Sequence, residues 1–198
     1  QCVLPLRARN EWRWLLAQSL RGMSHIWQSH LSPNVHKPLQ TRSRLKQLQR
    51  AVQRQKGLLN SVRLESRALR SCGRELEQLV EVQDRCLLLL ELLAQSRWEN
   101  SASAQAVLQQ YAISLQARTL GERLTAFARF CAGEESQLPE PASEAGLQLK
   151  QQMLDSLGEQ QSQSLNAYGY SWLIYQTSLQ IAALEKLIRG LSLTTDNQ

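Results

Sequence analysis

The chain has 198 residues and a net charge of +6. Leu (37) and Gln (25) dominate, while Gly supplies only 9, Pro 5 and Phe 2, a balance that favours helix, starves turns and excludes an all-β barrel or a doubly wound α/β domain. An apolar share of 42% separates it from disordered chains, and its longest apolar run, residues 86–90 and then 92–94, is broken by Glu91 and falls far short of a membrane span.

Charge is unevenly divided. Residues 1–74 hold 15 Lys/Arg against two acids, Glu11 and Glu65, whereas residues 75–198 hold 8 against 15. So polarised a chain can set its basic end on an acidic partner such as nucleic acid, tubulin tails or an anionic membrane face. Alternatively, its halves fold back and neutralise each other. Four cysteines (Cys2, Cys72, Cys86 and Cys131) show no CxxC pair or metal spacing. Without a signal peptide or glycosylation sequon, they read as thiols of an intracellular protein, cytoplasmic or cytoskeletal rather than nuclear or secreted.

The first expected helix covers residues 10–31. Asn10 can cap it and Glu11 suits its positive end, and Trp12, Leu16, Leu20, Met23, Trp27 and Leu31 make one apolar stripe. Pro33 and Pro38 then break the chain over residues 32–38. Residues 1–38 thus form an amphipathic helix and linker.

From Leu45 the sequence counts in steps of three and four through Leu48, Val52, Gln55, Leu59, Val62, Ser66, Leu69, Gly73, Leu76, Val80, Gln83, Leu87 and Leu90 to Ala94 and Arg97. Eleven of these sixteen positions are apolar over more than seven heptads without proline, which predicts one long basic-to-acidic coiled-coil helix over residues 39–98. Residues 45–97 as one rod would reach about 80 Å. A later helix of the chain or another subunit must then cover the rod, and Leu45, Leu48, Val52, Leu59, Val62, Leu69, Leu76, Val80, Leu87 and Leu90 are the expected partner-binding seam. Gln55, Ser66, Gly73 and Gln83 weaken it, and polar seam residues specify register or partner. A hinge at residues 70–74 coincides with the change in charge sign. Residues 87–93 are apolar nearly all round, as expected where a bundle thickens.

An amphipathic helix is expected over residues 99–133, starting at Asn100 or Ser101 and stopping at Gly133, followed by an acidic linker with two prolines over 134–146. The C-terminal segment, 147–198, is a long helix with a short tail. One face carries Tyr168, Trp172, Tyr175 and Leu179, and an adjacent one Ile174, Ile181, Leu184, Ile188 and Leu191. An antiparallel hairpin with the earlier long helix follows from the lengths.

Chemistry is sparse. His25 and His30 stand five apart, about 140° round a helix, and cannot share a metal as His-x3-His does. Phosphate-binding, nucleophile-elbow and zinc-protease motifs are missing. The expectation is therefore no enzyme, cofactor, metal or small-molecule substrate. Basic residues are more telling: Arg42, Lys46, Arg50 and Arg54, then Arg63 and Arg67, fall in four-residue steps on a helical face. Such a stripe suits a polyanion read by charge or an acidic helix of a partner, and no aromatic residue between Trp27 and Trp98 offers a stacking platform.

In texture, the basic coiled coil of residues 42–74, its Leu-rich continuation and the shorter distal helices resemble subunits of spindle and centrosome assemblies such as augmin. That resemblance is architectural, without a diagnostic motif, and implies a cytoskeletal setting while transferring no functional residue. The expected fold is all-α, an elongated bundle of long antiparallel helices with coiled-coil packing. Its expected role is a structural subunit joined to other coiled-coil subunits in a hetero-oligomer. The alternatives are a basic rod that binds nucleic acid or microtubules directly, and a secreted four-helix cytokine-like factor.

Overall fold

A computed structural model describes residues 7–31, 38–65, 70–99, 111–140 and 165–195. Among these the chain is all-helical, with five helices and no strand: α1 (Arg7–Leu31), α2 (Pro38–Glu65), α3 (Gly73–Glu99), α4 (Tyr111–Ala132) and α5 (Leu165–Thr195). Helix α1 packs on α2, α3 and α4, while α3 also packs on α2 and α5, and α4 on α5.

The apolar stripe of α1 explains its central place. Trp12, Leu16, Leu20, Met23 and Trp27 are all buried in one core cluster with residues from the other four helices. Full burial of such side chains stabilises by about 1.5–3 kcal/mol each. Close approach to α2 depends on Gly22, where an added Cβ would stand 2.3 Å from Leu48 Cδ2. Ala8 and Arg9 meet Glu65, Arg54 pairs with Glu11, and the Arg44 guanidinium donates to the His25 ring at 2.7 Å. The cap differs from the one expected at Asn10. The helix begins at Arg7, and its first-turn amides donate instead to the Glu65 carboxylate, Ala8 at 3.2 Å and Arg9 at 2.9 Å. A carboxylate there satisfies otherwise unpaired N–H groups and suits the positive end of the helix.

The expected single helix over residues 39–98 is two helices. Helix α2 ends at Glu65 and α3 starts at Gly73. Gln83 Nε2 donates to Gln55 Oε1 at 2.9 Å, although 28 residues of unbroken helix would separate them by about 42 Å. The chain therefore reverses between them. Arg63 locks the reversal by donating through Nη2 to the Gly73 carbonyl and to Glu77, both at 2.6 Å, while Arg70 Nε donates back to the Arg63 carbonyl at 3.3 Å. In place of a rod of 80 Å stand segments of about 42 and 40 Å.

Helix α4 stops by a local device. Gly133 takes φ of +78°, a conformation that glycine adopts at little cost. Its amide donates to the Phe130 carbonyl and that of Glu134 to the Arg129 carbonyl, both at 3.0 Å, the pairing of a Schellman stop. The expected start at Asn100 or Ser101, residues 141–146 of the acidic linker and the predicted helix between residues 147 and 164 lie outside the described residues.

Candidate interaction surfaces

The predicted seam is internal. Leu45, Leu48, Val52, Leu59, Val62, Leu76, Val80, Leu87 and Leu90 are all buried in the core of this one chain, so they are not a surface awaiting another subunit. Leu69 lies outside the described residues. The correction has one cause: reversal between α2 and α3 lays the seam's halves in a shared core. Helix α2 buries Thr41, Leu45, Leu48, Val52, Gln55, Leu59 and Val62, steps of four and three in strict alternation, which leaves most of its circumference to solvent.

Inside this seam sits a polar layer. Ser19, Gln55 and Gln83 are fully buried on α1, α2 and α3. Ser19 Oγ contacts Gln83 Oε1 and the Leu16 carbonyl, while Gln55 Nε2 donates to Gln83 Oε1 at 3.3 Å and to Ser19 Oγ at 3.4 Å. Gln83 Nε2 serves Gln55 Oε1 and, at 3.4 Å, the Leu79 carbonyl. The two amides thus satisfy each other only when α2 and α3 stand in register, and Ser19 of α1 completes the layer.

A second polar cluster joins α4 to α5. Glu185, buried at 8% exposure, pairs with Arg123, and with Arg189 at 3.2 Å. The two guanidiniums also reach the Glu140 carbonyl, at 2.9 Å from Arg123, and the Pro139 carbonyl, from Arg189. Arg189 lies over the Phe127 ring, 5.2 Å from its centroid. Two cations facing one buried anion leave donors that the backbone after α4 accepts, so this cluster ties residues 139–140 to the bundle.

The basic stripe divides. Arg42, Lys46, Arg50 and Arg54 are exposed on α2, and Arg54 is matched by Glu11. Arg63 is half-buried and serves the reversal instead. Arg67 lies outside the described residues. Lys56 stands where its charge lowers the Asp84 pKa, but partial burial outweighs it and holds that carboxyl above its ordinary value.

Helix α5 reverses the expected priority of its faces. Ile174, Ile181, Leu184 and Ile188 enter the core, whereas Trp172 and Leu179 remain exposed at 47% and 38%, with Tyr175 half-buried. The Tyr168 side chain lies outside the described residues. On α3, Leu88 and Leu92 are exposed at 57% and 40%, about 120–160° round the helix from buried Leu76 and Leu90 by the 100° step. Helices α3 and α5 are packed neighbours. An open recess of about 270 Å³ lies elsewhere, between Asn10, Arg13 and Trp14 of α1 and Cys131, Ala132 and Gly133. Its thiol is no ready nucleophile: burial pushes Cys131 up to about 12, against a smaller opposing effect of Arg13.

Cys72, Cys86 and Cys131 are buried thiols outside any disulfide. Among the described residues no group of three or more His, Cys, Asp or Glu is placed to hold a metal ion, and no helix is long and apolar enough to cross a membrane. No protein-family model, curated protein or solved structure matches the chain.

Proposed function

We propose that this chain is a non-enzymatic structural subunit of a multi-protein helical assembly. Its helices pair in antiparallel fashion with coiled-coil seams satisfied within the chain. It meets a helix of another subunit through the outward apolar side chains of α3 and α5. The observation that carries this reading is the exposure of Leu88, Leu92, Trp172 and Leu179 while the core is filled by neighbours on the same two helices. Leu88 and Leu92 stand at i and i+4, and Trp172 and Leu179 at i and i+7, spacings that a partner helix engages one turn at a time. The contact order along α1 and α2 supports antiparallel pairing, since Glu65 meets the start of α1 and Arg44 its later turns. The alternating spacing on α2 supports coiled-coil packing. A cytoskeletal setting rests on the architectural resemblance to spindle and centrosome subunits.

The test compares quantitative co-purification from native cells for the wild-type chain and Leu88→Gln/Leu92→Gln/Trp172→Gln/Leu179→Gln. These exposed positions leave the core untouched, and an unchanged thermal midpoint verifies folding. The reading expects a stoichiometric coiled-coil partner with the wild type and its loss with the variant. Identical partners at identical stoichiometry would contradict it.

A further inference from the structure

Helix α2 presents a surface that the assembly reading does not use. From Pro38 up to Glu65 no acidic residue occurs. Arg42, Lys46, Arg50 and Arg54 rise along its exposed side in four-residue steps of about 6 Å. Gln40, Gln47, Gln49 and Gln53 are exposed among them and add amide donors. Arg54 also pairs with Glu11 and Arg44 with His25. Arg42, Lys46 and Arg50 form the outward ridge by their exposure.

We propose that this ridge docks the phosphate backbone of double-stranded nucleic acid without reading its sequence. Two physical arguments select that occupant over an acidic helix. Between Gln40 and Gly57 the exposed positions are polar or glycine, and α2's exposed large apolar side chain, Leu64, lies beyond them. A docking helix would bury no apolar stripe there and would gain only exposed ion pairs, which contribute little. A duplex needs no apolar contact, because neutralising its phosphates releases condensed counterions. The four-residue step is of the order of the spacing between neighbouring phosphates on a strand, and α2 lacks aromatic side chains between Gln40 and Glu65 for stacking unpaired bases. Backbone contact without base contact fixes no sequence preference.

Binding of a fluorescent 24-base-pair duplex of mixed sequence to the full chain is followed by anisotropy between 50 and 200 mM salt. Three phosphate contacts predict a log–log slope of about −2.7, or about 40-fold weaker binding across that range. Arg42→Gln/Lys46→Gln/Arg50→Gln removes most of the slope and weakens binding at 50 mM by at least about 10-fold. Arg85→Gln/Arg118→Gln/Lys186→Gln removes equal charge from other exposed sites and leaves the slope in place. A duplex of unrelated sequence competes equally. No binding at 50 mM, or equal loss in both triple variants, overturns the proposal. So does a polyglutamate peptide that outcompetes the duplex at 150 mM, which assigns the ridge to an acidic protein. Because the ridge substitutions lie on α2 and neither triple touches Leu88, Leu92, Trp172 or Leu179, the outcome is independent of the co-purification test.

Discussion

Replacing Gln83 by Leu strips the polar layer of its central member while keeping bulk in the core. Gln55 Oε1 then loses its 2.9 Å donor and is orphaned, and Gln55 Nε2 loses its 3.3 Å acceptor and keeps only Ser19 Oγ at 3.4 Å, while Ser19 retains the Leu16 carbonyl. An orphaned buried amide costs about 1–3 kcal/mol, or about 2–10 °C in thermal midpoint for a chain of this size. Gln55→Leu does the reverse: it orphans the Gln83 Nε2 bond to Gln55, leaving only the long contact to the Leu79 carbonyl at 3.4 Å, and costs about the same. The double variant removes both amides and leaves an apolar layer beside a serine that still has its carbonyl. Its stability should return to within about 1 kcal/mol of the wild type. The assay is a double-mutant cycle by urea unfolding, followed by helical circular dichroism, with the coupling between positions as its readout. Additive losses in the double variant, or single variants that unfold like the wild type, would refute the inference that these amides satisfy each other.

Other substitutions probe separate features. Gly57 has open space where a Cβ would go, so Gly57→Ala should stabilise by about 1 kcal/mol through helix propensity in denaturant unfolding. Removing the carboxylate that caps α1, Glu65→Ala, should cost about 0.5–2 kcal/mol in the same assay; Asn10→Ala, outside the cap, should change little. Burial pushes the Cys86 thiol from 9.0 to about 12, so at pH 8 its thiolate is about a thousandfold scarcer than in the unfolded chain. Native Cys86 should therefore resist a thiol reagent until the protein opens, as residue-resolved mass spectrometry would read.

Features with local causes were legible in the sequence. The α1 stripe of Trp12, Leu16, Leu20, Met23 and Trp27 follows from helical spacing alone, and Gly133 ends α4 because the stop needs a left-handed residue. The reversal was not legible from the heptad, since a strict repeat is equally satisfied by a partner subunit and by its own second half. A signal was nevertheless present: Gln55 and Gln83 lie equally far from residue 69, as do Arg63 and Glu77 from residue 70. A fold at that point sets each pair level. Helix α5 posed a different difficulty, because apolar residues occupy two adjacent faces and its own pattern cannot say which one the other helices cover. The role of Glu65 as a cap for α1 is a contact across 56 residues, beyond the reach of local rules.

The reversal on which the account rests is open to direct distance measurement. Spin labels introduced through unnatural amino acids at Gln53 and Arg85, both exposed, leave the native cysteines in place. Two packed helices with axes about 8–10 Å apart, plus the reach of two outward labels, give an expected separation of about 25–30 Å. An unbroken helix would place the same positions about 48 Å apart. Double electron–electron resonance on magnetically dilute protein should show one population at the shorter distance. A dominant peak near 48 Å would contradict the fold and return the seam to the surface.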